Sequence, residues 1–217
     1  MASRAPQVEK LQLPGPAGEL EALIETPDGA NGAAFGVICH PHPLYGGTMD
    51  NKVIHTLSRA FHEQGASTIR FNFRGVGRSA GAFADGIGET EDALALVSWG
   101  RARWPQAQTW LAGFSFGGAV AIRAAASAKP ARLVAVAPAV SRVDLSGVSM
   151  PDRPWLIVQG DADELVNAEE TLRWARAQPF PPEIAVLPGV EHFFHGRLHE
   201  LRAAVSDYLR KAESGKK

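Results

Sequence analysis

A serine hydroxyl attacks well only when a neighbouring base takes its proton, and that base is most often a histidine held by a carboxylate. Ser115 has a setting suited to this. It sits in Gly113-Phe114-Ser115-Phe116-Gly117, entered by the apolar run 109–112 and left by a small-residue helical pattern over 118–128. A strand that turns sharply into a helix brings two backbones together, and glycine at 113 and 117 removes the side chains that would clash. Such a turn leaves the hydroxyl at its tip, over the helix N-terminus. Unpaired N–H groups and the positive dipole end there favour a developing negative charge. Gly77-Arg78-Ser79-Ala80-Gly81 has the same spacing. The glycine- and alanine-rich residues 82–88 follow it and cannot start a helix at once, so Ser79 lacks the strand–turn–helix setting.

Acids and histidines able to serve Ser115 come later. The apolar run 155–159 leads into Gly160-Asp161-Ala162-Asp163-Glu164, and the run 184–187 leads into Pro188-Gly189-Val190-Glu191-His192. In an open parallel sheet, working groups lie on loops just past the carboxyl ends of strands. An acid loop and a histidine loop therefore follow the serine, in the order Ser…Asp…His. His192, His195 and His199 have a spacing that invites a metal reading, but they straddle a loop-to-helix joint and lack a ligand-rich partner. No metal is expected there, and His195 and His199 are expected to make surface or outlying polar contacts. His40 ends a buried strand, so it is expected to bond loop backbone rather than a metal with His42. Cys39, the one cysteine, has no adjacent base and reads as a core thiol.

The elements that must carry these residues alternate. Residues 8–13 and 19–26 read as two strands joined by a Pro/Gly turn, an opening hairpin. Apolar runs at 33–40, 66–73, 108–112, 132–137, 154–159 and 183–187 read as further strands, with 33–40 expected to be buried on both faces and 66–73 buried as well. Helical patterns lie between or after them at 50–64, 89–103, 118–128, 167–178 and 196–212, with a polar tail over 213–217. Residues 40–48 contain two prolines and two glycines, which leaves no room for regular structure there. Strands alternating with helices predict an α/β fold with a mostly parallel sheet of about eight strands and helices on both faces. One domain over residues 1–217, with its core at about 8–212, is expected. The connection over 139–153 is too short to fold into a cap domain.

Composition narrows the function. Hydrophobic residues make up 45% and charged residues 21% of the 217, and the formal net charge is -1. That is an ordinary globular composition, with no field to draw nucleic acid or an anionic membrane. Residues 1–10 lack a signal-like apolar core and no run of about 18 apolar residues occurs. A cytoplasmic location and a small-molecule partner are expected; oligomeric state is not indicated.

With these pieces in order, the chain resembles the α/β-hydrolase superfamily, whose triads run Ser…Asp/Glu…His. It is similar in particular to a small, lidless group of bacterial serine hydrolases. The likeness rests on His40-Pro41-His42-Pro43-Leu44-Tyr45-Gly46-Gly47-Thr48-Met49-Asp50-Asn51-Lys52, on residues 71–79, on the Ser115 turn, on the Gly160 loop and on Glu191-His192-Phe193-Phe194-His195-Gly196. It implies an α/β-hydrolase fold without a cap and a serine hydrolase of the esterase class. With no cap to enclose a long tail, small carboxylic esters are expected as substrates, and the serine chemistry needs no cofactor or metal. A thioesterase, a peptidase, or a binding module that kept the fold are the alternatives. The resemblance further implies Ser115 as nucleophile, His192 as base and, through its Gly-x-x-Asp pattern, Asp163 as the acid, with Asp161 bracing the loop. An oxyanion hole needs two N–H donors. Phe116, next after the nucleophile, supplies one. The other comes from the loop after residue 40, where Pro41 and Pro43 have no N–H. His42 fits by register, and Leu44 fits if the loop bulges; the sequence leaves both open, with Tyr45 beside them. Phe73, Phe83, Phe114 and Phe116 are expected mostly in the core, with one or two walling an acyl pocket. Arg74 and Arg78 are expected to brace loops or meet solvent rather than bind substrate. Glu89 and Asp92 are expected to suit a helix dipole.

Overall fold

Strands β3 (Ala34–Cys39), β4 (Ser67–Phe71) and β7 (Trp155–Gly160) are buried at every position. β5 (Gln108–Phe114) and β6 (Arg132–Val136) are buried at all but their first. Such runs need cover on both faces, and the computed structural model, described here for residues 5–214 (side chains to 211), supplies it. β1 (Gln7–Gly15) and β2 (Gly18–Thr26) form the antiparallel hairpin, and β8 (Glu183–Leu187) closes the far edge. The strands make one eight-stranded sheet in the order β1-β2-β4-β3-β5-β6-β7-β8, with every pair from β4 onward parallel.

One face is covered by α2 (Ile87–Arg103), α3 (Phe116–Ala128) and α4 (Ala168–Arg176). Their alanines and leucines meet Phe35, Leu111 and Trp155 in the larger apolar cluster. The other face is covered by α1 (Lys52–His62) and α5 (Leu198–Ser214), whose Phe61, Leu57, Leu201 and Val205 meet Ile38, Ala112 and Val158. Burial on this scale is the main force holding the sheet between its helices. No helix among the described residues is long and apolar enough to cross a membrane.

Several local departures have identifiable causes. Residues 43–45 form a single 3-10 turn (Pro43–Tyr45) where no regular structure is expected from the sequence. Pro43 fixes its own φ at the start of that turn, and the His42 ring accepts the Leu44 N–H. Helix α2 begins at Ile87, two residues early, because the Glu89 carboxylate reaches back to the N–H groups of Ala84 and Gly86. Asp92 does more than suit a dipole. It is fully buried and takes the Arg74 guanidinium and the Arg74 N–H, bracing the 71–79 loop against α2. Helix α5 runs on to Ser214, so the polar tail read from the sequence begins later and residues 215–217 fall outside the described part.

Candidate active site

Ser115 stands between β5 and α3 with φ 56° and ψ -118°, a strained conformation for a residue with a side chain. The surroundings hold it there. Its N–H donates to Val136 O, and its own carbonyl accepts from Gly118, Ala119 and Ala139. The two glycines of the turn are needed for different contacts. A Cβ on Gly113 would lie 2.0 Å from Gly117 O, the strand-to-helix approach expected from the sequence. A Cβ on Gly117 would instead lie 2.3 Å from the carbonyl oxygens of Cys39 and His40, at the end of β3. The second glycine therefore fits the turn to the neighbouring strand rather than to its own.

The three distant loops meet at one rim of the sheet. The Ser115 hydroxyl donates to His192 Nε2 at 3.0 Å, and His192 Nδ1–H donates to Asp163 Oδ2 at 2.8 Å. The carboxylate settles the tautomer, since it can only accept. The side chains of His192 and Asp163 are both buried. The ring of Phe114 lies along the imidazole, centroids 4.9 Å apart, and limits its tilt. The His192 N–H donates to Glu164 Oε2 at 3.2 Å, fixing the loop from its other side.

Asp163 is anchored by more than histidine. Its second oxygen accepts the N–H groups of Leu165 and Val166, and Gln159 Nε2 donates to Oδ2 at 3.0 Å. Burial pushes this carboxyl up, but the His192 bond and the backbone donors outweigh it and hold the group below its ordinary range. The carboxylate stays charged beside the imidazole. Gln159 is not singled out by the sequence, although a polar residue near the end of a wholly buried strand is a signal of that kind. Asp161 does not enter the cluster; it accepts the Gly189 N–H and ties the acid loop to the histidine loop.

Of the two loop N–H groups left open, Leu44's is occupied, donating to His42 Nδ1 at 3.2 Å. The His42 N–H has no acceptor among the described residues, and neither has that of Phe116, the first residue of α3. Both residues line a cavity of about 430 Å³ that also contains Ser115 and His192. Tyr45, Leu165 and Phe193, all exposed, line it with apolar surface. Phe116 walls the cavity; Phe73 and Phe114 are fully buried in the core. His40 bonds backbone as expected, its ring linking Pro41 O and the Phe73 N–H. His195 pairs with Glu191 and His199 with Glu200, and no group of three metal-ligating side chains occurs among the described residues.

The model of the X-Pro dipeptidyl-peptidase (S15) family matches residues 18–154. An uncharacterised protein of Rickettsia prowazekii is 34% identical over 205 residues, which is 90% of this chain and 86% of that one. Two solved structures superpose with a TM-score of 0.89. One, from Xanthomonas campestris, is described as an a/b serine hydrolase without a lid; it is 40% identical over 94% of each chain. The other, from Coxiella burnetii, is described as an alpha-beta serine hydrolase homologue; it is 46% identical over 93% of this chain and 97% of that one.

Proposed function

We propose that this chain, which belongs to the X-Pro dipeptidyl-peptidase (S15) family and has the lidless α/β serine hydrolase fold, cleaves small carboxylic esters through an acyl-enzyme on Ser115. The observation that carries the reading is the unbroken hydrogen-bond chain from Ser115 through His192 to Asp163, opening on a cavity with two unpaired N–H groups. As the serine oxygen attacks the ester carbon, His192 Nε2 takes its proton. Asp163 stabilises the resulting imidazolium and keeps Nδ1 protonated. The N–H groups of Phe116 and His42 meet the carbonyl oxygen as it gains charge; losing one such donor typically costs about 10²–10³ in rate. His192 then protonates the departing alcohol. A water deprotonated by the same nitrogen attacks the acyl-enzyme and releases the acid. No step calls for a cofactor or a metal, and the enzyme is proposed to work on soluble small esters in the cytoplasm.

Labelling with a fluorophosphonate tests this. Wild-type protein is expected to label at Ser115 and to lose p-nitrophenyl acetate hydrolysis in parallel, and Ser115→Ala is expected neither to label nor to hydrolyse the ester. A wild-type protein that never labels would leave only a binding module. The family match favours one second reading, an amide-cleaving enzyme on the same residues. Turnover of a dipeptidyl X-Pro anilide faster than of a matched ester would move the assignment there, and a preference for a matched thioester would move it to thioesterase.

A further inference from the structure

The cavity beside Ser115 carries no acidic side chain, and its single permanent cation is Arg142. Arg142 is exposed, and no described residue gives its guanidinium a hydrogen bond or an ion pair; the buried guanidiniums of Arg70 and Arg74 are matched to Glu25 and Asp92. Arg142 is not a wandering surface residue at its backbone. Its N–H donates to Ala139 O at 3.0 Å, and the Ala139 N–H donates to the carbonyl of Ser115 itself at 3.1 Å. The next residue, Val143, is buried where a Cβ on Gly86 would stand 3.0 Å away. The turn is therefore fixed to the nucleophile on one side and to the start of α2 on the other, and it holds a free guanidinium at the cavity wall.

His42 adds a second unmatched donor on that wall. Its Nδ1 accepts the Leu44 N–H, so the neutral ring carries its proton on Nε2, which has no partner among the described residues. The ring is held between Tyr45, Phe83 and Phe116, with centroids 4.6, 5.0 and 4.9 Å away. Burial lowers the pKa of this imidazole and the charge of Arg142 lowers it further, against opposing pulls from Glu89 and Asp85. Neither acid can serve Arg142 from within the cavity. Glu89 is buried with its oxygens taken by Ala84 and Gly86 N–H groups, and Asp85 is exposed and outside the lining.

We propose that Arg142 and the Nε2–H of His42 together bind a carboxylate on the substrate, so that the esters cleaved at Ser115 carry an acidic group. This rests on the hydrolase reading and gives it a substrate class. One guanidinium plus one neutral donor matches a single charge spread over two oxygens. A phosphate dianion would bring a second charge that this mostly apolar wall leaves uncompensated. An ammonium group, such as a free peptide N-terminus, would meet a cation and no acid.

Two pairs of esters test it, because the carboxylate can sit on either side of the scissile bond. One pair is p-nitrophenyl butyrate against mono-p-nitrophenyl succinate; the other is the butyrate of methyl 4-hydroxybenzoate against that of 4-hydroxybenzoate. In at least one pair, the acidic ester is expected to exceed the neutral one in kcat/KM by about tenfold at low salt, falling toward parity as salt rises. Arg142→Ala is expected to bring that ratio to about one, Arg142→Glu to invert it and Arg142→Lys to keep part of it. Arg176→Ala, at an exposed arginine of α4 outside the cavity lining, leaves the ratio alone. Neutral esters preferred in both pairs, or a ratio indifferent to Arg142, overturns the proposal while fluorophosphonate labelling of Ser115 leaves the hydrolase reading standing. Should no ester turn over, calorimetry with monomethyl glutarate on the Ser115→Ala protein decides. Saturable binding lost on adding Arg142→Ala sustains the anion site, and absence of binding ends it.

Discussion

His40, one residue past β3, is wholly buried and commits both ring nitrogens to backbone. Nε2 accepts the Phe73 N–H at 3.0 Å, so Nδ1 carries the proton and donates to Pro41 O at 2.6 Å. Charging the ring would cost its desolvation and break the bond it accepts. Burial accordingly pushes its pKa down to about 4, the Pro41 bond opposing. An unfolded chain takes up this proton near pH 6.5, and the folded one does not until about pH 4. Between those values the unfolded state holds more protons, so stability falls as pH falls, by roughly 3 kcal/mol in all. Urea midpoints from pH 7 to 5 are expected to decline in the wild type and to decline less steeply in His40→Gln, even if that variant starts lower. Parallel declines would show that His40 is not the group. At this scale the sequence is legible where residue type and order decide. Ser115, the acid loop and His192 announce themselves by what precedes them, and the structure brings their side chains together. Roles set by side-chain packing were hidden. That the loop leaves the N–H of His42 open rather than that of Leu44 turns on which N–H a ring nitrogen occupies. The arginine at the cavity is Arg142, not Arg74 or Arg78, because Arg74 folds inward onto Asp92.

The element that locates the site is the junction of β5 with α3, and its fit against β3 is what a substitution would disturb. Gly117→Ala puts a methyl 2.3 Å from two backbone oxygens of residues 39 and 40, which carry the loop holding the His42 N–H. Backbone cannot rotate away as a side chain can. A loss of about 3 kcal/mol or more in stability is expected, with slowed fluorophosphonate labelling of the surviving folded protein. Gly147→Ala is the comparison: its φ is positive, but nothing lies within 4 Å, so only the left-handed backbone term of roughly 1 kcal/mol applies. Thermal unfolding of the two variants checks the difference, and equal losses would refute the close-approach account. The strands and helices themselves are legible because strand burial on two faces leaves continuous apolar runs and helix burial leaves a 3.6 period. Residues 43–45 escape that reading. Proline and glycine signal a break in long elements, yet proline at the first position of a single turn favours it.

For the molecule as a whole, the decisive fact is what does not stand over the cavity. The chain passes from β6 to β7 through 137–154 without another helix or strand, and the exposed side chains of Tyr45, Leu165 and Phe193 are among the residues lining the cavity. Among the described residues nothing encloses a long tail, and an exposed alkyl chain gains little once it leaves about 430 Å³ of cavity. Across p-nitrophenyl esters of rising chain length, kcat/KM is expected to peak at about two to six acyl carbons and to fall beyond; an optimum among long chains would contradict this. The open side also bears on how such a scaffold grows. The β6–β7 crossing passes through Ala139, whose amide hangs from the Ser115 carbonyl alongside those of Gly118 and Ala119. Extra residues spliced in at that point would leave the sheet untouched, yet every swing of the new piece would tug on the peptide unit of Ser115. An engineer adding a flap there would gain selectivity and a throttle in the same stroke.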